Sequence, residues 1–171
     1  MSPERIFQIH LALGYVPWLF FLTLYVLPRI RGADPAEAQR AIAVLHSFRF
    51  FGLVFLVPGV VGANLPPTFA TFAAYGDFAT GILAMLALFT FRIRPVFWFF
   101  TVAFNVMGAA DILTDYYHGT QVGLPELAGQ LGAAYAIPIL FVPLLMITHG
   151  LAFNLMARAR TAAAALQPRR A

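Results

Sequence analysis

Long apolar runs, separated by short joints of proline, arginine and small polar residues, set the pattern of this chain. A helix needs about 20 mainly apolar residues to cross a hydrocarbon core. Five runs qualify, over about residues 6–27, 41–63, 69–91, 95–117 and 131–156. Pro28-Arg29 stops the first, Asn64-Leu65-Pro66-Pro67 separates the second from the third, and Arg92 ends the third. Pro95 opens the fourth at a favoured first helical position, and Arg158 and Arg160 stop the fifth. Asp34, Pro35 and Glu37 read as an N-cap, a proline at N1 and an acidic first turn, so a helix starts there and feeds into the second run. The pattern predicts an all-α integral membrane bundle of about five transmembrane helices. It forms one unit over residues 1–160, with a frayed or disordered tail over 161–171. No repeat is visible, and an odd number of crossings argues against a simple duplicated transporter.

Composition supports lipid as the solvent. Hydrophobic residues make up 61% and charged residues 11% of the 171 positions, against about 45–50% and roughly 25% in soluble domains. A soluble domain of this size still exposes much of its area, so it could not hide so much apolar surface. Cysteine is absent, which excludes disulfides, thiolate metal sites and cysteine nucleophiles.

Every basic residue is an arginine. The net charge of +4 does not point to nucleic acid, because the arginines sit at the ends of the runs. Arg29, Arg31, Arg40, Arg92, Arg94, Arg158, Arg160, Arg169 and Arg170 fall on one side and only Arg5 on the other. Positive charge stays cytoplasmic, so the N-terminus is expected outside and the C-terminus inside a bacterial inner membrane. The first run is too long for a signal-peptide core and contains Pro17 and Trp18, so no cleaved leader is expected. Trp98, Tyr116 and Tyr117 suit an interfacial belt.

Ionisable side chains within a span cost roughly 2.5–3.5 kcal/mol on insertion scales, so each calls for an explanation. Counted from the inner arginines at about 1.5 Å per residue, His10 lies roughly 28 Å up, Asp77 roughly 22 Å and Asp111 roughly 25 Å. All three belong to the outer half on this count. Asp111, Asp115 and His118 share a helical face at i, i+4, i+7. One reading is an outer divalent-metal or proton site of His10, Asp77, Asp111 and Asp115. The other leaves Asp115 and His118 solvated, with Asp77 and Asp111 as hydrogen-bonding glue between helices.

The same count from Arg40 and Arg158 puts Arg49 and His149 near 13 Å, in the inner half with His46. No acidic residue in a span lies at that level, so Arg49 has no evident partner. It could snorkel, bind a lipid phosphate or clamp an acidic ligand. His46 and His149, on different helices at equal depth, also admit a b-type haem with Arg49 near a propionate. Pro17, Pro58-Gly59, Pro138 and Pro143 are expected to kink their spans. Gly76, Thr80 and Ala84 recur every four residues, which permits close helix contact.

His46-Ser-Phe-Arg49-Phe-Phe-Gly52, Leu65-Pro66-Pro67-Thr-Phe69-Ala70 and Tyr75-Gly76-Asp77-Phe-Ala-Thr-Gly81 carry a resemblance across about residues 46–85. The chain is similar to small bacterial multi-pass proteins that share Arg-x-x-Gly, Leu-Pro-x-x-Phe-Ala and Gly-Asp-x-x-x-Gly patterns. The resemblance implies no established activity; it marks Arg49, Gly52, Gly76, Asp77 and Gly81 as the shared pattern.

No Walker loop, GxSxG elbow, HExxH or dinucleotide fingerprint occurs, and the balance leans away from an enzyme. Three functions stay open. The first is a polar intramembrane cavity that binds or passes a small ligand, an ion or a proton, with Arg49, Asp77 and Asp111 as its principal residues. The second is an electron-transfer subunit with haem on His46 and His149. The third is a non-catalytic accessory subunit of a larger membrane complex. Lipid, a small-molecule or ion ligand, and membrane-protein partners or further copies of the chain are the expected partners; nucleic acid is not.

Overall fold

The computed structural model describes residues 1–30 and 32–165, and among them it contains no strand. Five helices are long and apolar enough to cross a membrane. They are α1 (Pro3–Ile30), α2 (Pro35–Leu56), α3 (Pro67–Phe89), α4 (Arg94–Gln121) and α5 (Ile137–Thr161), whose α-helical turns continue from Val142 to Ala165. The start of α2 follows local chemistry: the Asp34 carboxylate accepts from the Ala36 N–H at 2.9 Å, with Pro35 at the first position.

Several boundaries differ from the sequence-based expectation. α2 ends at Leu56, so Pro58-Gly59 lies in the connecting loop and kinks no helix. Its last nine residues, Phe48–Leu56, wind as a tighter 3-10 helix. The fifth run starts later than predicted. Ala128–Tyr135 forms a separate 3-10 segment, broken at Gly132 where φ is +53°. The tail remains helical to Ala165; the rest of the predicted frayed region lies outside the described residues.

Proline explains two further irregularities. α1 widens to π-helix over Leu22–Val26, just before Pro28, and α5 over Ile137–Phe141, just before Pro143. A proline has no N–H for the carbonyl four residues earlier, and the ladder shifts register around the gap. The two helices meet at the wider turn of α5. Trp18 Nε1 donates to the Leu140 carbonyl at 2.8 Å, and Gly14 lies so close to the Ile139 carbonyl that a Cβ would collide with it.

Packing is the reverse of a water-soluble domain. Phe20, Leu24, Phe89, Phe99 and Leu113 are exposed, while alanines such as Ala43, Ala74, Ala84, Ala87 and Ala152 are fully buried. Small residues inside let helices approach closely, as between membrane helices. The apolar interior falls into two clusters. One gathers Phe7, Phe55, Phe69, Leu124 and Leu131; the other gathers Ala36, Ile42, Ala84, Phe97 and Phe104.

Each cluster belongs to one end of the bundle. At the first end the loop after α2 pairs with the segment before α5: Gly62 N donates to the Gln130 carbonyl at 2.7 Å and Ala133 N to that of Val60 at 3.1 Å. At the second end Arg40 and Arg94 stack on Phe91, at 4.6 and 4.8 Å from the ring centre, and Arg94 pairs with Asp34 at 3.3 Å. Arg158 lines a pocket there with Ile30 and Pro35. The arginine-bearing turns therefore share one end.

Candidate functional site

Between the two apolar clusters lies a polar layer centred on Arg49, whose side chain is fully buried. Its guanidinium is forked between two carboxylates: Nε donates to Asp77 Oδ1 at 2.6 Å and Nη2 to Asp111 Oδ2 at 2.5 Å. Nη1 completes the set, donating to the Gly108 carbonyl at 3.2 Å and facing His149 Nε2 at 3.3 Å. α2 supplies the cation, α3 and α4 the anions, and α5 the imidazole. A charged group out of water is tolerable only when paired and hydrogen-bonded. Here each Arg49 nitrogen has a partner.

The expected separation of the acids above from Arg49 below does not hold. The depth count took Arg40 as the inner boundary of the second span, but the helix begins at Pro35 and Arg40 lies one turn inside it. From Pro35, Arg49 is about 21 Å along the helix axis, and Asp77 is about 18 Å from the opposite end of α3 at Phe89. The residues are therefore level, and Arg49 has the acidic partners its sequence neighbourhood lacks.

Glycines make room for the cluster. A Cβ on Gly52 would strike the Asp77 carboxylate, and one on Gly76 would strike that of Asp111. On Gly108 it would come within 2.5 Å of Arg49 Nη1 and 2.6 Å of His149 Nε2. Gly81 lets α3 approach the α2 backbone, with Phe50 N only 2.9 Å from where its Cβ would stand. The motif glycines thus border the ion cluster in space. Thr80 and Ala84, on the small-residue stripe of α3 with Gly76, are fully buried, as their spacing predicts.

A second tier adjoins His149. Its Nδ1 lies 2.9 Å from Asn105 Oδ1, while Asn105 Nδ2 donates to the Thr101 carbonyl at 2.8 Å. An amide oxygen only accepts, so His149 carries its proton on Nδ1 and presents the Nε2 lone pair to Arg49. His46 Nε2 lies 3.0 Å from the Thr148 hydroxyl, which can also donate to the backbone carbonyls of Leu144 and Leu145. A hydroxyl both donates and accepts, so this contact fits either His46 tautomer. The buried Nδ1 of His46 has no protein partner.

Of the other candidates, His10 is exposed and bonds the Tyr135 hydroxyl through Nδ1 at 3.0 Å. It does not join Asp77 and Asp111, and among the described residues no group of three or more His, Cys, Asp and Glu side chains is arranged to hold a metal. The outer metal site of His10, Asp77, Asp111 and Asp115 is therefore not assembled, because Arg49 occupies the space between the acids. The haem geometry is not assembled either. The His46 and His149 rings are in contact, 4.1 Å between centres, which leaves no gap for a porphyrin. Three of their four nitrogens face Thr148, Asn105 and Arg49 instead.

Asp115 is not simply solvated at a helix end. Together with Asp77 and Tyr116 it lines a cavity of about 100 Å³ whose other walls include Phe7, Leu11, Phe55, Phe69 and Ile112. Its Oδ1 is buried without a partner. Tyr116 meets Tyr15 hydroxyl to hydroxyl at 2.7 Å on the α1 side, and His118 stacks edge-on against Phe72. Sequence reasoning passed over Thr101, Asn105 and Gly108. The signal was available: Thr101, Asn105, Gly108, Asp111 and Asp115 recur every three or four residues, one polar and small stripe on an otherwise apolar helix.

No curated protein and no solved structure matches this chain. A family model does match, over residues 6–157, which covers all or most of each of the five helices and every residue of the polar layer. The chain belongs to the family described as "Domain of unknown function (DUF8737)".

Proposed function

We propose that this is a multi-pass protein of the bacterial inner membrane, N-terminus outside and C-terminus inside, whose polar core binds or passes a proton or small cation. The five apolar helices, their exposed phenylalanines and leucines, and the nine-to-one distribution of arginines support the setting. One observation carries the chemistry: a single guanidinium is shared by two buried carboxylates, with a third, Asp115, one turn away in a cavity. Arg49 can balance one negative charge. Uncompensated charge is costly away from water, so the remaining carboxylates call for a proton or a small cation.

The test is direct. Infrared spectra of the purified protein are expected to show a protonated carboxylic acid lost in Asp77→Asn, Asp111→Asn or Asp115→Asn. Alternatively, a monovalent cation raises the thermal midpoint in the wild type and not in those variants, since a ligand of the folded state stabilises it. Neither response in a folded wild-type sample overturns the reading.

A further inference from the structure

Below the Arg49 cluster, toward the arginine-bearing end, the interior stays polar in a particular way. Among the described residues, five buried side-chain atoms lack a hydrogen-bond partner: Asp115 Oδ1 on the cavity side of the cluster, and Thr80 Oγ1, His46 Nδ1, Thr101 Oγ1 and Gln39 Oε1 below it. They are not scattered. The Thr80 methyl borders Gly108 beside Arg49 and His149, and the His46 ring lies tilted against that of His149. Thr101 lies one turn from Asn105, the partner of His149. Gln39 lies two turns from His46 on the same face of α2, and its Nε2 donates to the Ala152 carbonyl at 2.8 Å. Counted from their helix starts, Gln39 stands about 6 Å, Thr101 about 10 Å, His46 about 16 Å and Arg49 about 21 Å along the bundle. The unpartnered atoms of His46, Thr101 and Gln39 thus follow one another in depth from the cluster toward the arginine-bearing end.

Buried polar groups without protein partners are satisfied by internal water. This series therefore suits a file of water running from the Arg49 cluster past His46 toward Gln39. Its chemistry discriminates between passengers. Below the cluster its side chains are imidazole, hydroxyl and amide, with no carboxylate to accompany a metal cation. Imidazole and chains of water relay protons, and hydroxyl and amide groups hold such water in place.

We infer that Gln39, His46, Thr80, Thr101 and His149 form a water-filled proton path joining the Asp111–Arg49–Asp77 cluster to the arginine-bearing end of the bundle. This rests on the proposed function and names the proton as its passenger. A proton arriving from the cavity is held by the carboxylates beside Arg49. It leaves through water, as an O–H bond breaks and an N–H bond forms at the unprotonated ring nitrogen of His46, whose Nδ1 has no protein partner. Each later hop breaks one O–H or N–H bond and makes another. The groups return to their starting state, one proton has moved, and nothing is oxidised or reduced.

The test uses full-length protein in liposomes that enclose a pH-sensitive dye, with a potassium gradient and valinomycin to impose a voltage. Wild-type protein is expected to acidify the lumen at least tenfold faster than protein-free vesicles. His46→Gln, and independently Thr101→Val, should reduce the flux about tenfold in samples whose thermal midpoint and circular dichroism show them folded. The flux should not change when sodium replaces an impermeant cation. No flux from folded wild-type protein overturns the path, as does flux carried by sodium or full flux in both variants. The two readings separate cleanly: if the infrared or cation response of the aspartates is present without flux, the path alone fails. If that response is absent, the underlying reading fails.

Discussion

Arg49 on α2 and Asp77 on α3 are joined Nε to Oδ1 at 2.6 Å, a buried ion pair between residues 28 apart in sequence. Gly52, one turn beyond Arg49, is the position at which any Cβ would collide with that same carboxylate. Cation, anion and glycine therefore form one unit, and the first predictions concern its removal.

Arg49→Met should be strongly destabilising. It leaves two carboxylates buried without a counter-charge, and breaking a buried pair costs about 3–5 kcal/mol. The triple variant Arg49→Met, Asp77→Asn, Asp111→Asn should recover much of that loss, since no unpaired charge remains. Unfolding in detergent measures both. A triple variant no more stable than Arg49→Met would show that the pairing is not what the arginine contributes.

Gly108→Ala should cost about 1–3 kcal/mol, the usual range for overpacking. Its Cβ would come within 2.5 Å of Arg49 Nη1 and 2.6 Å of His149 Nε2, both on buried side chains held by hydrogen bonds. Gly150→Ala is the matched control in α5: its Cβ meets nothing within 4 Å. A helical glycine replaced by alanine there gains up to about 1 kcal/mol. Thermal midpoints of the two variants should move in opposite directions.

Gly132→Ala should loosen the end of the bundle near the cavity. Gly132 has φ of +53°, and its Cβ would strike the Val60 carbonyl that accepts from Ala133 N. Amide exchange is expected to speed up at Ala133 and Gly62 while the helical amides around Asp111 stay protected. Unchanged exchange at those two sites would show that the loops are held by something else.

Orientation can be read by labelling, because the chain has no cysteine of its own. Gly129→Cys, exposed in the segment before α5, should react with a membrane-impermeant maleimide added outside intact cells. Gly32→Cys, exposed between α1 and α2, should react only after the membrane is opened. The reverse pattern would invert the proposed topology.

Much of the site was legible as composition and little of it as geometry. Arg49, Asp77, Asp111, His46 and His149 stand out in sequence, because a charged or titratable side chain amid apolar neighbours needs a reason. Their partnership does not. Arg49 looks isolated until α2 is seen to start at Pro35 and to tighten into a 3-10 helix over Phe48–Leu56, where the rise per residue is larger. Moving the helix origin by the five residues from Arg40 to Pro35 shifts Arg49 by about 7 Å along the bundle.

The sequence by itself determined that five apolar helices form, and that their arginine-bearing ends alternate with arginine-poor ones. Those are properties of runs and caps, local in the chain and carried by solvation and backbone hydrogen bonding. Only the tertiary structure decided that Arg49 is shared between Asp77 and Asp111, that the His46 ring lies against that of His149, and that Asp115 faces a cavity. The reason is physical. Those contacts depend on how helices far apart in sequence rotate and slide until groups such as Arg49 reach their partners, and that arrangement is not written in any one segment.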